Sequence, residues 1–562
     1  MARTARLAVP WLALIGLAAA ALIALLVAFP LGLTVLRLFF GEGQLAMTGW
    51  NQMMEEPGLG KVLLNTVIFV GASGLIALAI GAVFAWLTER TDAGLGWASD
   101  VVPLVPLLLP SLAGTVGWVF LMAPKTGYVN IILRHLTGSE EIEGPFNIFS
   151  MAGMIFVAAM YLVPYAYLTL AAALRNLDAS LEEASRVSGG GIFRTFFRIS
   201  MPAITPALIS AMILILMAGI GLFSIPAVLG TRPETKVLSY LMYVVVEREY
   251  PPRIAEAIVL SVLALSVIQV ALLAQWLFSG RRFQTMGARG LARASIPLGV
   301  WRTPARIVMI VYVAGAAVLP LAALILVSLQ RFWTPDINWG QLGFYNYAYI
   351  FMEKPVVVDA LKNSLQLGLA VAVLGMAVAT VLSYYVSRRP GILTRMADNV
   401  AMLPATIPHI IMGIAFIVAF TPKPFALYGT TTLLFLAYLA IYMPQAMQSS
   451  KFAFSQVSPD LMEASRVFGA GELKSFVRIM MPLIMPSTLA GMLILAILTM
   501  VETNASVILA KVNNPVLGPT LFILWYDGLV PPVAALSVVI CAFNGLIALA
   551  SLYLGRTLSY GR

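Results

Sequence analysis

Residues 181–206 read LEEASRVSGGGIFRTFFRISMPAITP, and residues 461–486 read LMEASRVFGAGELKSFVRIMMPLIMP. A shift of 280 positions superimposes the two segments, and the second segment repeats the first at Glu183, Ala184, Ser185, Arg186, Val187, Gly189, Gly191, Phe196, Arg198, Ile199, Met201, Pro202 and Pro206. Agreement of this density is not a coincidence. The chain therefore contains an internal repeat.

The repeat extends upstream of these segments. The same shift matches Pro164 with Pro444, and a shift of 298 positions then matches Asn65 and Thr66 with Asn363 and Ser364, Arg90 with Arg388, and Pro106 and Pro110 with Pro404 and Pro408. The shift changes where the first copy has a long polar stretch (124–148) and the second a short one (421–430), as a loop deletion would produce. We therefore predict two homologous halves, 1–279 and 306–562, and a linker, 280–305.

The composition places both halves in a membrane. Of the 562 residues, 60% are hydrophobic and 11% charged, and the mean hydropathy is +0.92, whereas soluble proteins carry about 25% charged residues. A transmembrane helix needs roughly 20 apolar residues, and such runs lie near 8–39, 62–88, 100–123, 150–174, 203–229, 255–278, 306–330, 361–386, 397–420, 430–448, 483–510 and 532–554. The sequence predicts an all-α polytopic membrane protein with about 12 transmembrane helices, six in each half.

The basic residues predict the orientation. If the amino terminus is cytoplasmic, the cytoplasmic segments hold most of the 35 Lys and Arg residues, and basic loops stay on that side during insertion. An even number of spans then places both termini in the cytoplasm. Residues 279–306 contain no acid, and their arginines are Arg281, Arg282, Arg289, Arg293, Arg302 and Arg306. Such a run favours contact with anionic lipid headgroups over nucleic-acid binding.

The repeated segments have local features that predict a helix-turn-helix. Ser180 with Glu183, and Asp460 with Glu463, have the spacing of a capping box, in which the glutamate bonds back to the start of a short helix. Gly189 and its counterpart then allow the chain to turn. A second short helix leads to Pro202, a residue that suits the first turn of the following span.

The pattern E-A-x-x-x-x-G-x9-I-x-[LM]-P, found in residues 183–202 and 463–482, resembles the EAA loop of ABC importer permeases. Ser185 and Ser465 stand where that family often has alanine. The resemblance implies the type I permease fold in a bacterial inner membrane, a separate ATPase subunit acting as a homodimer, and an extracytoplasmic substrate-binding protein. The loops would span 178–202 and 458–482. Two halves fused in one chain look most like the ferric-iron uptake permeases.

The resemblance also implies the residues that couple the chain to its ATPase. These are Glu183, Ala184, Arg186, Gly189, Arg198 and Pro202, with Glu463, Ala464, Arg466, Gly469, Arg478 and Pro482 in the second copy. The alternative is that each glutamate only caps its helix. Capping does not require the arginines that both copies share, so the pattern favours a docking surface.

The chain has no G-x4-G-K-[ST] motif and is expected not to hydrolyse ATP. A secondary transporter of the major facilitator type also has twelve spans, but it would need ionisable groups within them, which are nearly absent here. A passive channel would not need two ATPase-docking loops. Cys541 alone and two histidines, His135 and His409, predict no disulfide and no metal cluster, and no cofactor is expected.

A few polar residues lie within the predicted spans, where each is costly unless it faces protein or water. Glu502 and Asn504 are the clearest pair, and the first half has Leu222 and Ser224 at the matching positions. We predict that Glu502, Asn504 and Ser224 line the translocation pathway; the alternative is that Glu502 reaches the membrane interface. The paired prolines of the third span in each half predict a kink or an interruption.

The substrate is less well determined than the class, because in the resembling importers a separate binding protein selects it. Ferric iron is the first expectation, from the fused halves. Thiamine, an aminoalkylphosphonate, a polyamine and a sugar phosphate remain open.

Overall fold

The computed structural model describes residues 11–41, 44–45, 48–56, 58–96, 105–106, 109–138, 141–178, 180–231, 233–279, 296–389, 391–458 and 460–560. Its contacts form two compact units, one of Met1–Met47, Pro355–Thr520 and Ala542–Arg562, the other of Thr48–Lys354 and Leu521–Cys541. The first span of the first half is thus in the same unit as most of the second half, and the first span of the second half is in the same unit as most of the first half. The division into two halves at the linker therefore describes the sequence repeat, and it stays a prediction.

In the unit that contains Pro355–Thr520, the described helices are Trp11–Ile23, Ala24–Ala28, Phe29–Phe39, Pro355–Arg388, Ile392–Met402, Leu403–Thr406, His409–Phe420, Thr431–Ile441, Met443–Ser455, Asp460–Val467, Glu472–Ser475, Phe476–Met480, Met481–Met500 and Ser506–Leu509. A two-residue hairpin, Phe40–Gly41 with Gln44–Leu45, is also present. Two further helices, Leu517–Tyr526 and Val530–Tyr560, are divided between the units.

In the unit that contains Thr48–Lys354, the described helices are Thr48–Glu55, Leu59–Arg90, Ser111–Met122, Tyr128–Thr137, Met151–Arg175, Ser180–Val187, Ile192–Thr195, Phe196–Ser200, Met201–Ala203, Thr205–Gly221, Ser224–Leu229, Pro233–Thr235, Leu238–Tyr243, Val244–Arg248, Ile254–Ser279, Gly299–Trp301, Arg302–Val313, Ala314–Val318, Leu319–Ser328, Trp339–Gln341, Tyr345–Ala348 and Tyr349–Glu353. The predicted all-α membrane class is confirmed.

Within the described residues, eight helices are long and apolar enough to cross a membrane, or up to ten if each of two bent pairs is one span. The eight are Leu14–Phe39, Leu59–Arg90, Met151–Arg175, Ile254–Leu277, Gly299–Ser328, Pro355–Arg388, Glu472–Met500 and Val530–Ser551. The predicted runs near 100–123 and 430–448 contain the shorter helices Ser111–Met122 and Thr431–Ile441 instead. In the part of the chain that the structure describes, the roughly twelve predicted apolar runs thus correspond to eight to ten helices that could cross a membrane.

Prolines account for the interruptions, as the sequence predicted. The helix His409–Phe420 begins directly after Pro408 and is bent by 116° from the preceding helix pair Ile392–Thr406. In the first half, Pro110 directly precedes the helix Ser111–Met122. A proline cannot donate a helical hydrogen bond and disfavours helical backbone in the residue before it. The interruptions place irregular backbone inside the apolar region.

The two halves use the same contacts at matching positions. Asn65 Nδ2 donates to the carbonyls of Glu234 and Lys236, and Asn363 Nδ2 donates to the carbonyl of Pro515. The backbone N–H of Leu238 donates to Thr66 Oγ1, and that of Leu517 donates to Ser364 Oγ, both at 2.9 Å. The repeat predicted from sequence is therefore a repeat of hydrogen bonding as well.

Close packing positions the helices that lead to the repeated loops. In the first half, a Cβ added at Gly81 would lie 2.5 Å from Ala166 Cβ, so only glycine permits this approach between the helices Leu59–Arg90 and Met151–Arg175. Side chains of this core are fully buried, including Phe84, Leu170 and Tyr167. The approach brings Arg90, at the end of one helix, to the carboxyl end of the other.

Candidate functional site

The two repeated loops have the same geometry. We call residues 178–202 the first loop and residues 458–482 the second loop; Ala179 and Pro459 lie outside the described residues. Helices Ser180–Val187 and Asp460–Val467 are each followed by a glycine in the left-handed region, Gly189 at φ 79° and Gly469 at φ 80°. The turn predicted at these glycines is confirmed, and a Cβ would be strained at either.

A hydroxyl pair closes each loop. Ser185 Oγ lies 2.9 Å from Thr195 Oγ1, and Ser465 Oγ lies 2.7 Å from Ser475 Oγ. In both loops the pair ties the first short helix to the second. The serines that depart from the resembling family's pattern thus have a structural use, since alanine could not make this bond.

The predicted coupling residues lie mostly on the surface of their loops. In the first loop, Glu183, Ala184, Arg186, Arg198 and Pro202 are exposed. In the second loop the same is true of Glu463, Ala464, Arg478 and Pro482, while the side chain of Arg466 lies outside the described residues.

The starts of the two short helices differ from a capping box. The backbone N–H of Ser180, which Glu183 was expected to bond, donates to Asp178 Oδ1 at 2.9 Å. The N–H of Asp460 donates to Ser458 Oγ at 3.3 Å. A residue two positions upstream thus occupies the role that the capping box gave to the glutamate.

The first loop is anchored by a buried ionic network that the sequence analysis missed. Arg90 Nη1 lies 3.5 Å from Glu182 Oε2, and both side chains are buried. Ser200 Oγ donates to Glu182 Oε1 at 2.6 Å, which joins the two ends of the loop. Arg90 Nη2 also donates to the carbonyls of Leu174 and Leu177, at the end of the helix Met151–Arg175. The arginine therefore caps that helix and holds the loop beneath it.

The end of the linker contacts the same region. Ile296 forms a parallel bridge with Thr91, donating its N–H to the carbonyl of Arg90 and accepting from the N–H of Asp92. Arg306 donates to the carbonyls of Ala93 and Gly94. Residues 280–295 of the predicted linker lie outside the described residues. The described end of the linker is thus bound to the chain segment that follows Arg90.

The second loop is anchored by apolar contacts. Met462 stands at the position of Glu182, and Met480 stands at the position of Ser200. Both are buried in a cluster with Tyr384 and Phe476. Arg388, the counterpart of Arg90, lies over the Tyr384 ring, 5.9 Å from its centre. The two loops therefore expose similar residues, whereas a buried ion pair anchors the first loop and apolar contacts anchor the second.

Glu502 is buried at the centre of a polar cluster. His409 Nδ1 lies 2.8 Å from Glu502 Oε2, and the hydroxyl of Tyr442 donates to the same oxygen. The other carboxylate oxygen, Oε1, accepts the N–H of Ala505 at 2.9 Å. The carbonyl of Leu498 lies 3.0 Å from the Tyr442 hydroxyl and shares its single proton. We call His409, Tyr442 and Glu502 the buried triad.

The buried triad joins three breaks in helical structure. His409 begins a helix after the Pro408 break, Tyr442 separates Thr431–Ile441 from Met443–Ser455, and Glu502 follows the end of Met481–Met500. Irregular backbone inside an apolar region needs hydrogen-bond partners for its polar groups, and the triad provides some of these partners. The contacts join residues 93 and 60 positions apart in the chain, so no local pattern predicted them.

The first half lacks this triad. The matching positions are Ser111, Leu162 and Leu222, and the contact present there is a hydrogen bond of 3.1 Å from Ser111 Oγ to Ser224 Oγ. Ser224 is fully buried, while Asn504 is partly buried. Among the described residues, no group of three His, Cys, Asp or Glu side chains could hold a metal ion.

Comparisons with known proteins agree with the internal repeat. The family described as "Binding-protein-dependent transport system inner membrane component" matches twice, at residues 77–279 and 371–559. A probable ABC transporter permease protein of Sinorhizobium fredii is 28% identical over 98% of this chain and 97% of its own length. A ferric transport system permease protein of Actinobacillus pleuropneumoniae is 22% identical over 81% of this chain and 65% of its own length.

Shorter matches involve other named cargoes. The molybdenum transport system permease protein of Escherichia coli K12 is 29% identical over 40% of this chain and 95% of its own length. Among solved structures, a bacterial alginate ABC transporter in complex with an alginate-bound periplasmic protein shares 18% identity, with a TM-score of 0.37, over 45% of this chain and 87% of that chain.

Proposed function

Because this chain belongs to the family of binding-protein-dependent transport system inner membrane components, we propose that it forms the translocation pathway of an ATP-driven importer whose ATPase is a separate subunit. The class of ABC importer permease rests on the double family match and on a relative similar over nearly the full length. The proposal adds the coupling loops, the partners and the cargo.

The observation that carries the coupling role is a duplicated loop with one exposed face. Glu183 and Glu463 are both exposed. The backbone of the two loops turns in the same way, since each loop has a glycine in the left-handed region at the matching position. The N–H that would make Glu183 a simple cap is bonded to Asp178. An exposed carboxylate beside exposed arginines can form ion pairs across an interface. We assign these loops to an ATPase homodimer, one loop to each subunit.

Replacing Glu183 and Glu463 together with glutamine tests this role. We expect the permease to insert normally and to lose most of its ATPase on copurification, with a matching fall in substrate-stimulated ATP hydrolysis. Exchanging two other exposed acids, Glu143 and Glu353, for glutamine gives a control of equal charge change. Normal copurification and normal transport by the loop variant would contradict the docking role.

The proposed orientation places both loops and both termini in the cytoplasm of a bacterium, with the protein in the inner membrane. The positive-inside distribution of Lys and Arg supports it. The opposite side would receive an extracytoplasmic binding protein, a proposal that is supported by the family description of binding-protein-dependent transport. The basic linker would lie near anionic lipid headgroups, and no nucleic-acid partner is proposed.

Ferric iron is the proposed cargo. The relative named for ferric transport matches 81% of this chain, whereas the relative named for molybdenum transport matches 40%. Initial uptake of labelled iron, molybdate and spermidine by reconstituted vesicles, each with its own binding protein, compares the three. Uptake of molybdate or spermidine without iron would overturn the choice.

We assign the pathway to the region of Glu502, Asn504 and Ser224. A buried carboxylate in a span is costly unless it serves a route or a structure, and Glu502 is 5% exposed. Glu502→Gln removes the charge with little change in shape and should slow uptake while the ATPase stays bound. Leu222→Gln at the matching position of the first half should have a smaller effect. Unchanged uptake by Glu502→Gln would leave this carboxylate a structural role.

A further inference from the structure

We propose that the buried triad of His409, Tyr442 and Glu502 is a transient binding site for the imported metal cation. The proposal rests on the assignment of ferric iron as cargo and goes beyond it, because it names the ligands. A pathway that only attracts cations would need no more than a negative charge such as that of Glu502. The triad offers in addition an imidazole nitrogen and a phenol oxygen.

The donor set fits a hard transition-metal ion. Carboxylate and phenolate oxygens suit hard cations, and imidazole nitrogen binds iron among other transition metals. Organic cations such as polyamines are recognised instead by charge and by aromatic faces. Binding would form bonds from the metal to the Tyr442 oxygen, the His409 nitrogen and the Glu502 carboxylate. The phenol proton, and any proton on the bonded nitrogen, would leave to water, as metal binding generally requires.

The spacing of the donors is close to that of metal ligands. His409 Nδ1 and Glu502 Oε2 are 2.8 Å apart. Two ligand atoms at right angles around an ion, each about 2.1 Å from it, are roughly 3 Å apart. The Tyr442 hydroxyl contacts the same carboxylate oxygen. His409 and Glu502 would therefore need only small movements to hold one ion between them, with Tyr442 beside the same oxygen.

The surroundings of the triad orient its donors. The N–H of Ala505 holds Glu502 Oε1, and this contact remains in place when Oε2 binds a metal ion. Such outer contacts fix the direction of ligand atoms. The His409 side chain is 28% exposed while that of Glu502 is 3% exposed, so the imidazole is the more accessible of these two donors. All three side chains stand where helices are interrupted, and small backbone shifts there need not break a helix.

Binding can be measured on the full-length permease in lipid nanodiscs, with iron(III) nitrilotriacetate as the probe. A phenol that binds iron(III) gives a visible charge-transfer band. We expect this band in the natural protein and its loss in Tyr442→Phe. Tyr438→Phe is the matched control, since Tyr438 is buried one turn earlier and bonds Ser506 instead. Glu502→Gln and His409→Gln should weaken iron binding by roughly 10–100-fold or more.

Transport separates the site from the cargo assignment. Uptake of iron should fall at least tenfold in Tyr442→Phe and in Glu502→Gln, with Tyr438→Phe at the natural rate and ATPase copurification unchanged in all three. Normal iron uptake by Tyr442→Phe would overturn the site while the iron assignment stands. A band without iron uptake in the natural protein would overturn the assignment and keep the site as a metal-binding one. Absence of the band in the natural protein would overturn the site whatever the cargo.

Discussion

Replacing Glu182 with methionine, the residue at the matching position of the second loop, should release the first loop from its anchor. The side chain of Arg90 is 5% exposed and that of Glu182 1% exposed, so the change leaves a buried guanidinium without its carboxylate. Breaking a buried ion pair from one side costs about 3–5 kcal/mol. Because Arg90 keeps its bonds to two carbonyls, we expect the lower end of this range.

The assay is amide hydrogen exchange of residues 181–187 in the purified permease. A loss of about 3 kcal/mol corresponds to a rise in local opening of roughly a hundredfold, since about 1.4 kcal/mol is a factor of ten. The double variant Arg90→Met with Glu182→Met should return part of this protection, because it removes the unpaired buried charge, although the carbonyls of Leu174 and Leu177 lose their donor. In the second loop, Met462→Leu should raise the exchange of that loop by no more than about tenfold, since such swaps cost under about 1.5 kcal/mol.

Two results would refute the reasoning. Natural exchange rates in Glu182→Met would show that the ion pair does not hold the loop. Equally fast exchange in the single and double variants would show that the unpaired guanidinium is not what opens the loop.

Three further outcomes follow from the loops. Valine at Gly189 or Gly469 should open the turn and lower ATPase copurification, whereas asparagine, which tolerates left-handed backbone better, should retain more of it; equal loss in both variants would argue against the backbone reason. A cysteine placed at Ser180 should react only with reagents that enter the cytoplasm, and one at Thr231 should be labelled from outside; external labelling of the Ser180 position in intact cells would contradict the orientation. The N–H of Ser180 holds the pKa of the Asp178 carboxyl below its ordinary value, so its contribution to the first loop should be full above about pH 4 and be lost only as the pH falls further; Asp178→Asn should remove that pH dependence of exchange.

The sequence predicted those parts of the fold that depend on local rules. Gly189 and Gly469 adopt positive φ because a tight turn after a short helix favours the one residue without a Cβ. The Pro408 break follows from the missing N–H of proline. Both are readable from a few neighbouring residues, and the repeat allowed each to be read twice.

The anchor of the first loop could not be read in this way. Glu182 has no charged counterpart, because Met462 stands at the matching position, so a search for identical residues passes over it. A usable signal was the match of Arg90 with Arg388, two arginines at the ends of apolar helices. The network itself joins positions 84 and 87 apart through Arg90, and such contacts depend on helix packing rather than on spacing.

The buried triad shows the same limit. The sequence singles out Glu502 because a carboxylate in an apolar run is costly, but it indicates nothing for His409 beyond the lack of a histidine cluster. The hydroxyl of Tyr442 carries no sequence signal at all. The three side chains meet because three helix interruptions lie side by side in the fold. The paired prolines predict only one of these interruptions, the one before His409.

The contact between the linker and residues 90–94 determines where the protein can be divided into two chains. Ile296 pairs with Thr91, and Arg306 binds the carbonyls that follow. A gene split at residue 305 would place these two contributions on different products. A split upstream of Ile296 keeps them together, continuous with the helix Arg302–Val313, and the bridge would then form between chains on assembly. The division that keeps both contributions on one product therefore lies inside the predicted linker, before Ile296, rather than at the end of the linker.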